Sequence, residues 1–196
     1  MENGKWIEYH SLTTVGDGSP IEFDIAGNGE AYVDLANTML YVQVKITKQD
    51  GSVLDDDVHV GPVNLFLHSL FSQVNIFLNE THVTASTNTY PYRAMLETLL
   101  SYGDDAKKSQ LTTTLYYEDK AGSMDAVTFD NADTRNAGLV QRRNFTARSW
   151  VVDMIGRIHA DLFFQNRHLL NKANVNSNIT FIGLWQPGGW ISKIVN

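Results

Sequence analysis

Cysteine is absent from the 196-residue chain. That absence removes disulfide scaffolds, thiol catalysis, iron–sulfur clusters and cysteine zinc sites together. Long apolar runs are missing as well. Nowhere do about eighteen apolar residues follow one another, so no membrane-spanning helix is expected. The opening MENGKWIEYH lacks the apolar core of a secretory signal, which predicts an intracellular protein. Charged residues are sparse at 19%, against 43% hydrophobic and 11% aromatic, a balance that excludes a disordered chain. The length allows one ordinary domain with a core of its own.

Positive charge is scarce too: 15 Lys and Arg face 22 Asp and Glu, for a net −7. The imbalance is uneven, since residues 1–134 carry 7 bases and 20 acids while residues 135–196 carry 8 and 2. Two arrangements fit. The segments interleave so that their charges meet within one domain, or an acidic surface meets a basic one on a neighbouring copy. Arg142, Arg143 and Arg148 could form a nucleic-acid surface, but the overall acidity argues against a specific nucleic-acid partner.

Catalytic signatures are equally scarce. Gly16-Asp17-Gly18 and Gly27-Asn28-Gly29 lack the strand-to-helix context of a phosphate loop and read as turns. No HExxH and no GxSxG occurs. His10, His59, His68, His82, His159 and His168 are scattered without ligand spacing, and each reads as a surface or satisfied histidine. His159 alternates with apolar neighbours, which predicts a side chain facing solvent or a neighbour. Asp55-Asp56-Asp57 lacks the Gly and distal Glu of a calcium loop and reads as a solvated acidic loop. Asn79-Glu80-Thr81, Asn144-Phe145-Thr146 and Asn178-Ile179-Thr180 match the glycosylation sequon, by chance if the chain is not secreted. These observations predict no enzyme, no cofactor and no metal.

What is present is period-two alternation. Leu40, Val42, Val44 and Ile46 alternate with Tyr41, Gln43, Lys45 and Thr47, the pattern of a strand with one wet face. Val74, Ile76 and Leu78 repeat it, as do Trp150, Val152 and Met154, with Gly156 marking a bend or bulge. Ile158, Ala160, Leu162 and Phe164 suggest another strand, and 20–25 and 175–182 two more. Half-wet strands without long helices between them predict antiparallel sheets packed face to face. Two helical pieces interrupt the pattern. Between Pro91 and Gly103, the residues Tyr92, Met95, Leu96, Leu99 and Leu100 form a stripe expected to be buried. Asp104 to Lys108 starts a second short helix, acids first and bases last. The segment from Val63 to Phe71 fits helix or strand. Gln49-Asp50-Gly51 reads as a turn, and residues 118–138 as a long surface loop.

Six blocks in order carry a resemblance. They are residues 32–38 (YVDLANT), 61–74 (GPVNLFLHSLFSQV), 86–94 (STNTYPYRA), 97–103 (ETLLSYG), 106–111 (AKKSQL) and 152–163 (VDMIGRIHADLF). Together the run resembles the N-terminal jelly roll of the major capsid protein, or hexon, of Polinton/Maverick elements and adintoviruses. The resemblance covers about residues 30–183. It implies a mostly β fold, an antiparallel sandwich of the single viral jelly-roll type with short inserted helices. In that family two jelly rolls lie in tandem and three subunits make a pseudo-hexagonal capsomer. The implied organisation is an N-terminal arm at 1–19, the jelly roll at 20–183 and a divergent tail at 184–196.

The resemblance implies a structural protein that self-assembles through lateral jelly-roll contacts, with itself and other capsid proteins as partners and the virion capsid as its place if viral. Three readings follow. The first is that capsid-type protein. The second is a jelly roll co-opted to bind a glycan or a host protein, with Trp185 and Trp190 around Pro187-Gly188-Gly189 as contacts. The third, a cupin-like metal enzyme, lacks the compact His/Glu set such sites need. Trp185, Trp190, Arg142 and Arg143 are the expected assembly or ligand contacts.

Overall fold

The computed structural model describes residues 4–13, 20–25, 32–48, 50–56, 60–85, 87–126, 135–166, 168, 177–183 and 191–195, the last two stretches as backbone. Eight strands are described: β1 Glu8–His10, β2 Ile21–Ile25, β3 Met39–Lys45, β4 Phe71–Leu78, β5 Thr81–His82, β6 Val151–Arg157, β7 Ser177–Gly183 and β8 Ile191–Val195. They form two four-stranded sheets in the orders β1-β8-β3-β6 and β2-β7-β4-β5. Every pairing is antiparallel. Strands next to each other in sequence, apart from β4 and β5, therefore lie in opposite sheets, and the first strand lies beside the last. Eight strands wound this way, in two sheets packed face to face, make a jelly roll.

The sandwich follows from the alternation. On β3, Leu40, Val42 and Val44 point inward and Tyr41, Gln43 and Lys45 outward. They meet Val152 and Met154 of β6 within their own sheet and Phe23, Ile25, Val74 and Ile76 from the opposite one, in a single apolar core. Burying one such side chain is worth about 1.5–3 kcal/mol, and the sandwich closes because both sheets offer one. Tyr41 Oη and Gln43 Nε2 both donate to Asp153 on the outer face, at 2.8 and 2.7 Å.

Among the described residues four α-helices fill the connections: α1 Phe66–Ser69, α2 Tyr90–Ser101, α3 Asp104–Lys107 and α4 Ala137–Thr146. α2 opens with Pro91 in its first turn, as expected. In α3, Asp104 and Asp105 precede Lys107, matching the macrodipole. The ambiguous 63–71 segment divides: a left-handed Leu65 (φ 55°) starts α1, and β4 begins at Phe71.

Several expectations are corrected. The supposed arm and tail each supply a strand, because β1 pairs with β8 and β8 pairs with β3. The sheet thus extends past the 20–183 boundaries at both ends. The 118–138 loop ends in α4, whose Asn136 cap accepts from the Leu139 amide at 3.3 Å. The alternation after Ile158 does not continue as a strand, since Asp161–Phe164 turns as a 3-10 helix and buries Phe163. Gly156 is neither bend nor bulge. It sits in register opposite Leu40. A Cβ there would come within 2.5 Å of Thr114 Cγ2 and 2.8 Å of Leu67 Cδ2. The glycine is needed for close packing.

Candidate functional site

α2, Tyr90–Ser101, carries a group of exposed large apolar residues and covers a buried polar cluster. Its fully buried residues are Tyr90, Ala94 and Thr98, one line at i, i+4 and i+8. The apolar stripe read from the sequence mostly faces outward. Tyr92 is 73% exposed, Leu96 58%, Leu99 47% and Leu100 84%, while Met95 alone is partly covered. Periodicity groups residues on a face; it does not say whether the face meets the core. Here the inward line is Tyr, Ala and Thr, and α2 is held by Tyr90 in the main core, by Ala94 and Met95 against Leu65, Leu111 and Tyr116, and by polar contacts.

Those polar contacts form a chain. The backbone N–H of His159 donates to Tyr90 Oη at 3.3 Å, and Tyr90 Oη lies 3.0 Å from His68 Nδ1. His159 Nδ1 lies 2.8 Å from Glu97 Oε2. Arg93 Nε donates to Glu97 Oε1 at 2.8 Å, and its Nη2 reaches Asp161. A carboxylate accepts, so His159 donates from Nδ1; Tyr90 then donates to a neutral His68, which accepts at Nδ1. The two imidazoles meet edge to face with centroids 4.6 Å apart. Burial drives His68 well below its ordinary pKa, and the neighbouring His159 adds to the shift. Burial also lowers His159, against the opposing pull of Glu97. Tyr90 is pushed far up, by burial first.

His159 was expected to face solvent or a neighbour. It is buried, because the chain leaves β6 after Arg157 and turns inward. Its ring and that of Phe164 lie 5.7 Å apart. Sequence alternation missed this cluster; the signal available was only that residues 90–97 and 157–161 are unusually rich in groups that pair.

Arg142 and Arg143 lie in α4. Arg142 is 2% exposed. Its Nε donates to Pro62 O at 2.8 Å, Nη1 to Tyr117 O at 2.7 Å and Nη2 to Asp119 Oδ1 at 2.6 Å. Arg143 is also buried and donates to Asp56 O at 3.0 Å. Arg148 Nη2 donates to Asp56 Oδ2 at 2.6 Å, and Lys48 Nζ to Asp55 Oδ2 at 2.6 Å. The acidic 55–56 stretch is exposed and paired with Lys48 and Arg148. Basic and acidic portions thus meet within the chain at Arg142–Asp119 and Arg148–Asp56. Trp185 and Trp190 lie outside the described residues, as do Asp57 and His59. Among the described residues, no group of three or more His, Asp or Glu is placed to hold a metal ion. No helix among them is long and apolar enough to cross a membrane.

No family model matches the chain. An uncharacterized protein of Caenorhabditis elegans is 26% identical over 183 residues, which span 89% of this chain and 40% of that protein. Among solved structures, PBCV-1 VP54, fitted into a cryo-EM reconstruction of the virophage Sputnik, aligns over 97% of this chain and 41% of its own, at 9% identity and a TM-score of 0.48. A chain of the PBCV-1 virus capsid, a quasi-atomic structure, aligns over the same shares at 10% identity and a TM-score of 0.48. The chain therefore spans about two fifths of the length of each relative named.

Proposed function

We propose that this chain is a capsid-type jelly roll with a structural role, which self-associates laterally. The observation that carries the reading is the jelly-roll strand order together with an inserted helix that presents its large apolar residues to the outside. Surfaces of this kind mark association sites. Tyr92, Leu96, Leu99 and Leu100 form one uncharged stripe, and a second copy of the chain is its occupant. The ordered sequence blocks that resemble those of Polinton/Maverick and adintovirus capsid proteins support the same reading. Within a virus, the place of such a protein is the capsid shell.

The test is the mass of the purified chain in solution, with the Leu96→Asp, Leu100→Asp double variant beside it. The wild type is expected to form a discrete oligomer, and the variant to shift toward monomer with an unchanged circular dichroism spectrum. Both side chains already face solvent, so neither substitution disturbs the core. A wild type that stays strictly monomeric at high concentration refutes the proposal.

A further inference from the structure

The buried histidine pair underneath α2 offers more than packing. α2 is held by an inner line of Tyr90, Ala94 and Thr98, of which only Tyr90 has bulk. The Thr98 hydroxyl is buried without a hydrogen-bond partner, which weakens the attachment further. Ala94 and Met95 add apolar contact with Leu65, Leu111 and Tyr116, and the polar grip is the chain His68–Tyr90–His159–Glu97–Arg93–Asp161.

We propose that His68 and His159 form an acid-operated clasp that holds α2 on the jelly roll when both rings are neutral and releases it when they take up protons. This rests on the reading of α2 as the self-association surface, and it names the regulation of that surface. The groups facing the pair come from each neighbouring element. α2 supplies Tyr90, Arg93 and Glu97. The end of β6 and the turn after it supply Arg157, His159 and Asp161. β4 and the 3-10 helix Gln110–Thr114, which also pack here, supply no titratable side chain.

The order of events follows from the partners. His159 takes a proton against the Glu97 carboxylate 2.8 Å away, although Arg93 and Arg157 oppose it. Among the described residues, His68 has no carboxylate partner. A proton on its Nδ1 would face the Tyr90 hydroxyl proton and put a second cation against a ring whose centroid is 4.6 Å away. Like charges so close in a dry site separate, and the way to hydrate His68 is to lift α2. Local opening of this kind is drawn from elements with little buried apolar area.

The experiment is amide hydrogen exchange of the full chain at about pH 7.5 and about pH 5.5, normalised for intrinsic rates. Exchange in residues 90–101 is expected to rise about tenfold at the lower pH, while residues 39–45 of β3 stay protected. The His68→Phe variant, which fills the site without a titrating group, should lose most of that rise. If it does not fold, His68→Gln serves the same end, keeping an acceptor for the Tyr90 hydroxyl without a titrating ring. No acid-dependent rise in 90–101 in the wild type overturns the clasp, and so does protection of 90–101 no lower than that of β3 at both pH values, which would mean that α2 opens only when the whole domain unfolds. Solution mass at both pH values separates the two readings. An oligomer at neutral pH that persists in acid while α2 opens refutes the regulation but not the assembly. A monomer at neutral pH refutes the assembly, and with it the regulation of an assembly surface, whatever the exchange shows.

Discussion

Replacing Arg142 by Met should destabilise the jelly roll strongly, although the residue touches no ligand. The guanidinium serves three acceptors within 2.6–2.8 Å: two backbone carbonyls, of Pro62 and Tyr117, and the Asp119 carboxylate. Methionine fills most of the space, so the loss measures the polar contacts rather than a cavity. Each buried carbonyl left without a donor costs about 1–3 kcal/mol. Asp119 loses less, because it is 21% exposed and keeps Asn136 Nδ2 as a donor at 2.7 Å. The total comes to about 3–5 kcal/mol, the range for breaking a buried pair from one side. That is a large part of the about 5–15 kcal/mol that holds an ordinary domain together. For a chain of this size it corresponds to a fall in Tm of roughly 6–20 °C. Arg142→Lys should lie between, since an ammonium cannot reach three partners spread around a planar fork. Denaturant unfolding with an unchanged m-value is the assay. A loss under about 1 kcal/mol for Arg142→Met would mean that the network is not holding α4, and the reasoning would fall.

Two further outcomes are expected. Gly156→Ala should cost about 1–3 kcal/mol by denaturant unfolding, because its Cβ would collide with Thr114 Cγ2 and Leu67 Cδ2. Adding Thr114→Ser, which removes that methyl, should recover part of the loss, and a neutral Gly156→Ala would contradict the packing. The unfolded state binds protons at His68 near pH 6.5 while the folded state resists until well below it. The stability from this buried neutral ring is therefore fully present above that pH and is lost as pH falls beneath it. The slope is about 1.4 kcal/mol per pH unit for His68 alone. A stability flat from neutral pH down through the histidine range, in wild type and His68→Phe alike, would refute this.

The strands that carry the core were legible because β3, β4 and β6 obey a local rule, in which alternate side chains point to opposite faces. The Pro91 start of α2 and the acid-to-base order of α3 were legible for the same reason, since both depend only on neighbours in the chain. α4 was hidden in a polar stretch. Its helix begins at a cap whose four hydrogen bonds reach Leu139 in the helix itself and Asp119, Lys120 and Met124 in the preceding loop. Gly138 in its first turn allows the approach of Glu118 O, where a Cβ would sit 2.3 Å away. No local pattern announces such a contact.

The sequence by itself determined a cysteine-free, mostly β protein, its half-wet strands and the composition of the α2 stripe. All of these are properties of residues a few positions apart. Only the tertiary structure decided that the stripe faces outward, that Arg142 is spent internally, that residues on both sides of 20–183 join the sheet, and that His68 and His159 meet. Those facts depend on pairings between distant segments, such as β3 with β8 or α2 with the turn after β6. The free energy there comes from which surfaces are left to be covered once the two sheets have closed.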